Sequence, residues 1–344
     1  MAADLVTRRP QGLFCEPGGF YIDPWLPVER ALITHAHGDH CRPGHGAYLA
    51  QRDALGLMRA RLGDEALLEG IAYGESRRIG EVTVSLHPAG HVLGSAQIRI
   101  EQRGEVWVVA GDYFVSGAGD SNPTCAPFEP VRCEVFISES TFGLPIYRWA
   151  PQAEVLEEMR AWWAGCAAEG RHALLMGYSL GKAQRLLAGL ATPDAPGPVL
   201  VHPAVARLNA AYREAGVALP AAETVTPETK FKALRGALVI APPAVQDSRW
   251  ARALGPHSDA FASGWMRLRG ARRRRSVDRG FVFSDHADWP GLLAAIAASG
   301  ARRVIVTHGD EDALVRYLGE RGLAAEALAT EFGDEAQQGA EGAA

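Results

Sequence analysis

Apolar and polar positions along this chain fall into three regimes. In the first, short alternating or continuous apolar runs at 31–34, 82–87, 96–101, 106–110 and 135–138 are punctuated by Gly, Pro and Asp. That pattern predicts strands joined by turns. Apolar residues at three- and four-residue spacing predict helices over 47–62 and 152–168. In the second regime, from about residue 170, strand-like stretches at 173–176, 198–202 and 237–241 alternate with helix-like ones at 182–190 and 204–214. Such alternation predicts βαβ units around a parallel sheet. Strands are expected again at 281–284 and 303–307, with helices at 292–298 and 312–319. The stretch 333–344 is polar, rich in Gly and Ala and without period, so disorder is expected there.

Composition narrows the class. A chain of 344 residues holds one large or two intermediate domains, and 47% apolar residues suffice for a sizeable core. No run of about 18 apolar residues exists, so no membrane partner is expected. The segment Met1–Pro10 lacks the basic-then-apolar layout of a secretory signal, and a cytoplasmic location is expected. Five scattered cysteines without a C-x-x-C pair are expected to be reduced, with Cys41 a small filler beside His40. A net charge of −5 gives no global attraction for a polyanion. Any nucleic-acid site must therefore be a local one.

The densest chemistry is His35-Ala-His37-Gly-Asp39-His40, directly after a predicted strand. On extended backbone a spacing of two puts His35, His37 and Asp39 on one side, with His40 following as the chain turns. Imidazole and carboxylate are the ligands that zinc and related divalent ions prefer. One segment cannot complete two coordination spheres. Further candidates stand in Gly-containing turns just beyond other predicted strands: His91, Asp112 and His308.

These residues resemble the successive metal motifs of the metallo-β-lactamase fold, and Asp23 resembles its early aspartate. The resemblance implies two divalent ions, zinc or manganese. His35, His37 and His91 would hold one, Asp39, His40 and His308 the other, with Asp112 bridging and Asp23 orienting a ligand from behind. Such ions attract a phosphodiester and lower the pKa of an attacking water. Ser138-Glu-Ser-Thr-Phe-Gly143, Phe283-Ser-Asp-His286 and Thr307-His308-Gly-Asp310 resemble the three further motifs of the β-CASP nucleases. The implied fold is α/β: a metallo-β-lactamase αββα sandwich (1–150 and 281–332) with an inserted parallel-sheet β-CASP domain (151–280). The implied catalytic residues are Asp39, His286 as general acid, and Glu139 holding its tautomer. The segments at 12–25, 127–131, 141–149 and 284–289 further resemble the bacterial ligase-associated DNA exonucleases. That resemblance implies DNA as substrate and DNA repair alongside an ATP-dependent DNA ligase and a helicase.

Two features are candidates for holding nucleic acid. Ser179 and Lys182 lie in a Gly-bearing turn at a helix start, where free N–H groups can cradle a phosphate. The spacing is one residue short of a P-loop, and Ala183 replaces its magnesium-binding hydroxyl, so an ATPase is not expected. Arg272, Arg273, Arg274 and Arg275 form a basic run that gives salt-dependent contact with DNA. Two other functions fit the same residues: an RNA-processing nuclease of the β-CASP group, and a non-catalytic nucleic-acid-binding scaffold. All seven ligand positions are filled, which disfavours the scaffold.

Overall fold

The computed structural model describes residues 4–115, 117, 120, 122–234 and 236–331. The tail at 333–344, expected to be disordered, lies outside them. The chain divides into two compact units: Met1–Ser116 with Cys125–Arg148 and His286–Ala336, and Gly117–Thr124 with Trp149–Asp285 and Gln337–Ala344.

The first unit holds two sheets. One runs in the order Val6–Arg9, Gly12–Cys15, Phe20–Ile22, Arg30–Leu32, Ala47–Gln51 and Leu68–Ile71, antiparallel at first and parallel from Phe20–Ile22 onward. The other runs Ala324–Ala327, Arg303–Gly309, Val135–Ser140, Glu105–Val109, Ala96–Gln102, Val82–Pro88 and Ser76–Ile79. Period-two alternation sends Val82, Val84 and Leu86, Ile98 and Ile100, and Trp107 and Val109 into a shared core. There they meet Leu13, Phe20, Ile22, Leu32 and Leu49 of the facing sheet. Truncating the buried Trp107 to Ala would cost about 3–5 kcal/mol.

On its other face the second sheet buries Val108, Phe136, Val304 and Val306 with Leu292 and Ile296 of helix Trp289–Ser299 and Leu314 and Leu318 of helix Glu311–Glu320. The first of these helices starts where the Asp288 carboxylate accepts the Gly291 N–H, and it stops at left-handed Gly300.

Strand direction then decides where loops emerge. Arg303–Gly309, Val135–Ser140 and Glu105–Val109 are parallel neighbours. Val82–Pro88 is separated from Glu105–Val109 by one antiparallel strand, so it runs the same way. Their four C-terminal ends therefore share one rim.

The second unit is a six-stranded, wholly parallel sheet in the order Glu223–Thr224, Val199–Val201, Leu238–Ala241, His172–Met176, His257–Ala262 and Arg279–Phe281. It is buried on both faces. Ala173 and Leu175 pack with helices Gln152–Ala168 and Lys182–Leu190, while Leu174 and Met176 pack with Ala251 and Ala271 opposite. No helix of the described residues is long and apolar enough to cross a membrane.

Two expectations need correction. The helical spacing over 47–62 splits into strand Ala47–Gln51 and helix Leu55–Leu62. Strand neighbours on both sides of a nearly buried Ala-Tyr-Leu-Ala-Gln override the apolar spacing. The strand expected at 281–284 instead ends at Phe281, in Arg279–Phe281. Several short strands, among them Val6–Arg9 and Ser76–Ile79, had no signal because half their residues are charged or exposed.

Candidate metal centre

The shared rim carries His91, Asp112, Glu139 and His308, and the segment after Arg30–Leu32 brings His35, His37 and His40 to them. His35, His37, His91 and Asp112 each present a ligand atom within 4.8 Å of the others, and so do His40, Asp112 and His308. A third such group joins Asp112, Glu139 and His286. Asp112 belongs to all three, at the turn after Glu105–Val109. Gly111 makes that turn: its φ is +59°, and a Cβ there would stand 2.6 Å from the Thr34 side chain.

Hydrogen-bond partners fix which nitrogen of three imidazoles faces outward. Thr34 Oγ1 donates to Asp23 Oδ2 at 2.5 Å, so its contact with His35 Nδ1 at 3.1 Å must be a bond it accepts. Thr307 Oγ1 likewise donates to the Ser138 carbonyl and accepts from His308 Nδ1, both at 3.1 Å. His40 Nδ1 donates to Asp23 Oδ2 at 2.8 Å. Three histidines thus point Nδ1–H outward and turn Nε2 inward. They face Asp112: His308 Nε2 at 3.1 Å and His40 Nε2 at 3.6 Å from Oδ1, and His35 Nε2 at 3.5 Å from Oδ2.

A cation fits this arrangement. Asp112 Oδ2 is buried without a hydrogen bond among the described residues. His37 Nδ1 sits 3.1 Å from His35 Nε2 and 3.0 Å from His91 Nε2, and His91 Nε2 is 3.8 Å from Asp112 Oδ2. Four ligands at about 2.0–2.1 Å around a tetrahedral ion stand about 3.3 Å apart, within the observed spread. No Lys or Arg of this unit is buried among the described residues, although Asp23, Asp39, Asp112 and Glu139 all are.

Charge within the protein alone is lopsided as a result. Burial pushes the His40 imidazole down, but Asp112, Asp39 and Asp23 outweigh it and hold it up at about 10. Burial, with the His40 charge next, holds His35 well below the usual range. For Asp112 burial acts upward, and His40, His286 and the hydrogen bond from His308 overcome it. A bound divalent ion would relieve the need for a proton on His40. Asp39 Oδ2 stands at the edge of the second group, 3.5 Å from His40 Nε2.

Glu139 and His286 form a separate hydrogen-bonded pair beside the ligands. Glu139 Oε1 accepts the Tyr113 N–H at 2.8 Å, and Oε2 accepts the Thr141 hydroxyl and His286 Nδ1, the latter at 2.8 Å. The His286 ring lies 4.6 Å from that of His91, centroid to centroid.

The residues expected to hold nucleic acid lie in the second unit. Lys182 is fully buried, 3.5 Å from Asp285 Oδ2 and over the Tyr178 ring, where Arg185 shares the same carboxylate. Its charge is spent on Asp285, not held out toward solvent. Ser179 is half-buried in the turn that Gln184 ties down through Gly181 N–H and the Ser179 carbonyl. Arg272, Arg273 and Arg274 are exposed on helix Arg269–Arg275, and half-buried Arg275 lies over the Phe261 ring at 4.4 Å. Cys41 is buried and belongs to none of the ligand groups.

The sequence reading missed Thr34 and Thr307, which orient His35 and His308. Their signal was present as a Thr-His pair at two places, after strand Arg30–Leu32 and at the end of strand Arg303–Gly309.

No family model matches the chain. Over 325 residues, 94% of this chain, it is 33% identical to a probable DNA ligase of Opitutus terrae, of which the match covers 31%. Over 167 residues, 46% of this chain and 19% of the relative, it is 32% identical to the endoribonuclease ysh-1 of Neurospora crassa. Other relatives are named a ribonuclease and an RNase J-like protein. The chain spans under a third of the length of the first two relatives. A protein of unknown function from Enterococcus faecalis V583 shares the fold, with a TM-score of 0.58 at 13% identity over 88% of this chain and 80% of that one. The named relatives support the metallo-β-lactamase/β-CASP superfamily.

Proposed function

We propose that this chain is a nuclease dependent on two divalent metal ions, zinc or manganese, acting as a DNA exonuclease in repair alongside an ATP-dependent DNA ligase and a helicase. The observation that carries the hydrolase reading is the convergence of three histidine Nε2 atoms on Asp112, an arrangement that a divalent cation fits. Bound divalent ions would supply positive charge to a phosphodiester and lower the pKa of an attacking water. His35, His37 and His91 with Asp112 would hold one ion, and His40, His308 and Asp39 with the same Asp112 the other.

The remaining chemistry falls to the chain's own residues. An alkoxide leaves poorly unless it is protonated. Glu139 accepts a hydrogen bond from His286 Nδ1–H, and the adjacent carboxylate favours the charged imidazolium, whose second proton sits on Nε2. Nε2 then gives its proton to the departing oxygen. Asp23 and the two threonines hold Nδ1 of His35, His40 and His308 outward, which leaves their Nε2 atoms to a metal.

DNA as substrate is favoured by the alignment of nearly the whole chain with part of a protein named a probable DNA ligase. RNA as substrate is the second reading, because other relatives are named ribonucleases. Strands of DNA and of RNA, labelled singly at either end and supplied with zinc or manganese, separate the two. Stepwise shortening of DNA is the expected result. Efficient cutting of RNA with DNA untouched would overturn the DNA assignment.

A further inference from the structure

A cleft of about 620 Å³ opens in the first unit, lined by Ala47–Leu49, Ala66–Glu69 and Arg77–Gly80 with Arg30 and Arg59. Its walls are the edge strands of the two sheets, Leu68–Ile71 and Ser76–Ile79, with helix Leu55–Leu62 alongside. Four arginines from three elements converge there against one acid. Arg77 takes up Glu69, and also reaches Glu75. Arg59 is exposed and donates only to the Asp64 carbonyl, at 3.2 Å. Arg30 and Arg78 are exposed and have no ion pair or side-chain hydrogen bond among the described residues. Three positive charges thus line one concavity without a counter-ion, in a chain whose net charge is −5. Leu67, 68% exposed, adds an apolar wall.

We propose that this cleft binds the phosphodiester backbone of a single nucleic-acid strand, away from the metal centre. The proposal rests on the nuclease reading for its choice of ligand. Guanidinium groups pair with phosphate oxygens bidentately, and a cationic concavity concentrates a polyanion despite the net charge of −5. Leu67 gives the sugar and base faces an apolar contact.

The position sets a length requirement. Arg30 opens the strand that leads into His35, so the two are at most about 17 Å apart at 3.3 Å per extended residue. A stacked strand advancing about 3.4 Å per nucleotide covers that in about five. The cleft would therefore engage strands longer than this, retaining the substrate while its end is at the metals.

Edge-strand arginines also guard sheets against pairing with another molecule, and the test separates the two roles. Binding of a fluorescein-labelled oligothymidylate of about 20 nucleotides is followed by anisotropy across a salt series in EDTA, where nothing is cut. Arg30→Ala/Arg78→Ala should bind about tenfold more weakly, and its log–log salt slope should shallow by about 1.4, or 0.7 per lost phosphate contact. Arg316→Ala, whose side chain is 81% exposed on another face of sheet-covering helix Glu311–Glu320, should leave the slope as it was. Unchanged affinity and slope in the double variant overturn the proposal, and oligomers in size-exclusion then identify the arginines as edge guards. Wild-type protein that cuts strands while the double variant binds like wild type removes the cleft and leaves the nuclease. Arginine-dependent binding without cleavage under either metal does the reverse.

Discussion

His40 Nδ1 lies 2.8 Å from Asp23 Oδ2, and the same carboxylate takes both the N–H and the hydroxyl of Thr34. One buried acid therefore orients two ligand histidines, His40 directly and His35 through Thr34 Oγ1. Asp23→Asn keeps the size, and Asn tolerates the left-handed φ of +42° found there. It cannot accept on both sides as the carboxylate does. We expect metal affinity to fall about 10–100-fold, as orienting partners of ligands usually dictate. Zinc titration against a competing chelator reads this, and an unchanged affinity would show that His40 needs no orientation.

Removing metal should weaken the fold of the first unit. Without ions the inward nitrogens and Asp112 Oδ2 are buried against one another with too few protons. A ligand that binds only the native state at about 100 times its Kd adds about 2.7 kcal/mol. Thermal unfolding in EDTA should therefore occur at lower temperature than with zinc, and readdition should restore it. His37→Ala removes the nitrogen placed between His35 and His91, so its unfolding should respond less to zinc. A transition indifferent to EDTA in the native protein, once loss of metal is verified, would mean that the centre contributes nothing to folding.

Arg185 makes the second unit sensitive at one buried point. Its Nε donates to Gln152 Oε1 at 2.6 Å, and Nη1 donates to the Ser284 carbonyl at 2.6 Å and Asp285 Oδ1 at 2.8 Å. Arg185→Met would leave those acceptors buried with fewer donors, a loss of about 3–5 kcal/mol for a broken buried pair. Lys182, 3.5 Å from Asp285, should moderate the cost. Arg185→Lys keeps the charge but not the fork, and should fall between the two in urea unfolding. Equal stability for all three proteins would contradict this account.

How much of this was legible depends on where the information sits. The ligands are chemically rare clusters behind apolar strands, and their spacing alone pointed to a metal site. The parallel sheet of the second unit was equally plain, because strands buried on both faces read as apolar runs such as Ala173–Met176. Strand Ser76–Ile79 was not, since three of its four residues are Ser or Arg and only Ile79 is buried, although its partner Val82–Pro88 follows directly. The surroundings of Lys182 were not legible either: a lysine after a Gly-bearing turn looks like a phosphate ligand, and its ion pair with Asp285 depends on a residue about a hundred positions on. Thr34 and Thr307 were overlooked because a hydroxyl carries no ligand signal, although each stands directly before a ligand histidine.

The Glu139–His286 pair yields the sharpest test of mechanism. His286→Asn retains an N–H that can meet Glu139 Oε2 but removes the atom at Nε2, so the surroundings of the pair are disturbed little. If Nε2 protonates the leaving oxygen, kcat on a nucleic-acid strand should fall by about 10²–10⁴, with metal content unchanged. A thymidine p-nitrophenyl phosphate releases a phenolate that needs no proton, so most of that loss should disappear with it. Glu139→Gln should follow the same pattern more mildly, because it withdraws the charge that stabilises the imidazolium while leaving Nε2 in place. Equal losses on both substrates would instead assign His286 to holding the phosphate. The proton would then have to reach the leaving oxygen from solvent.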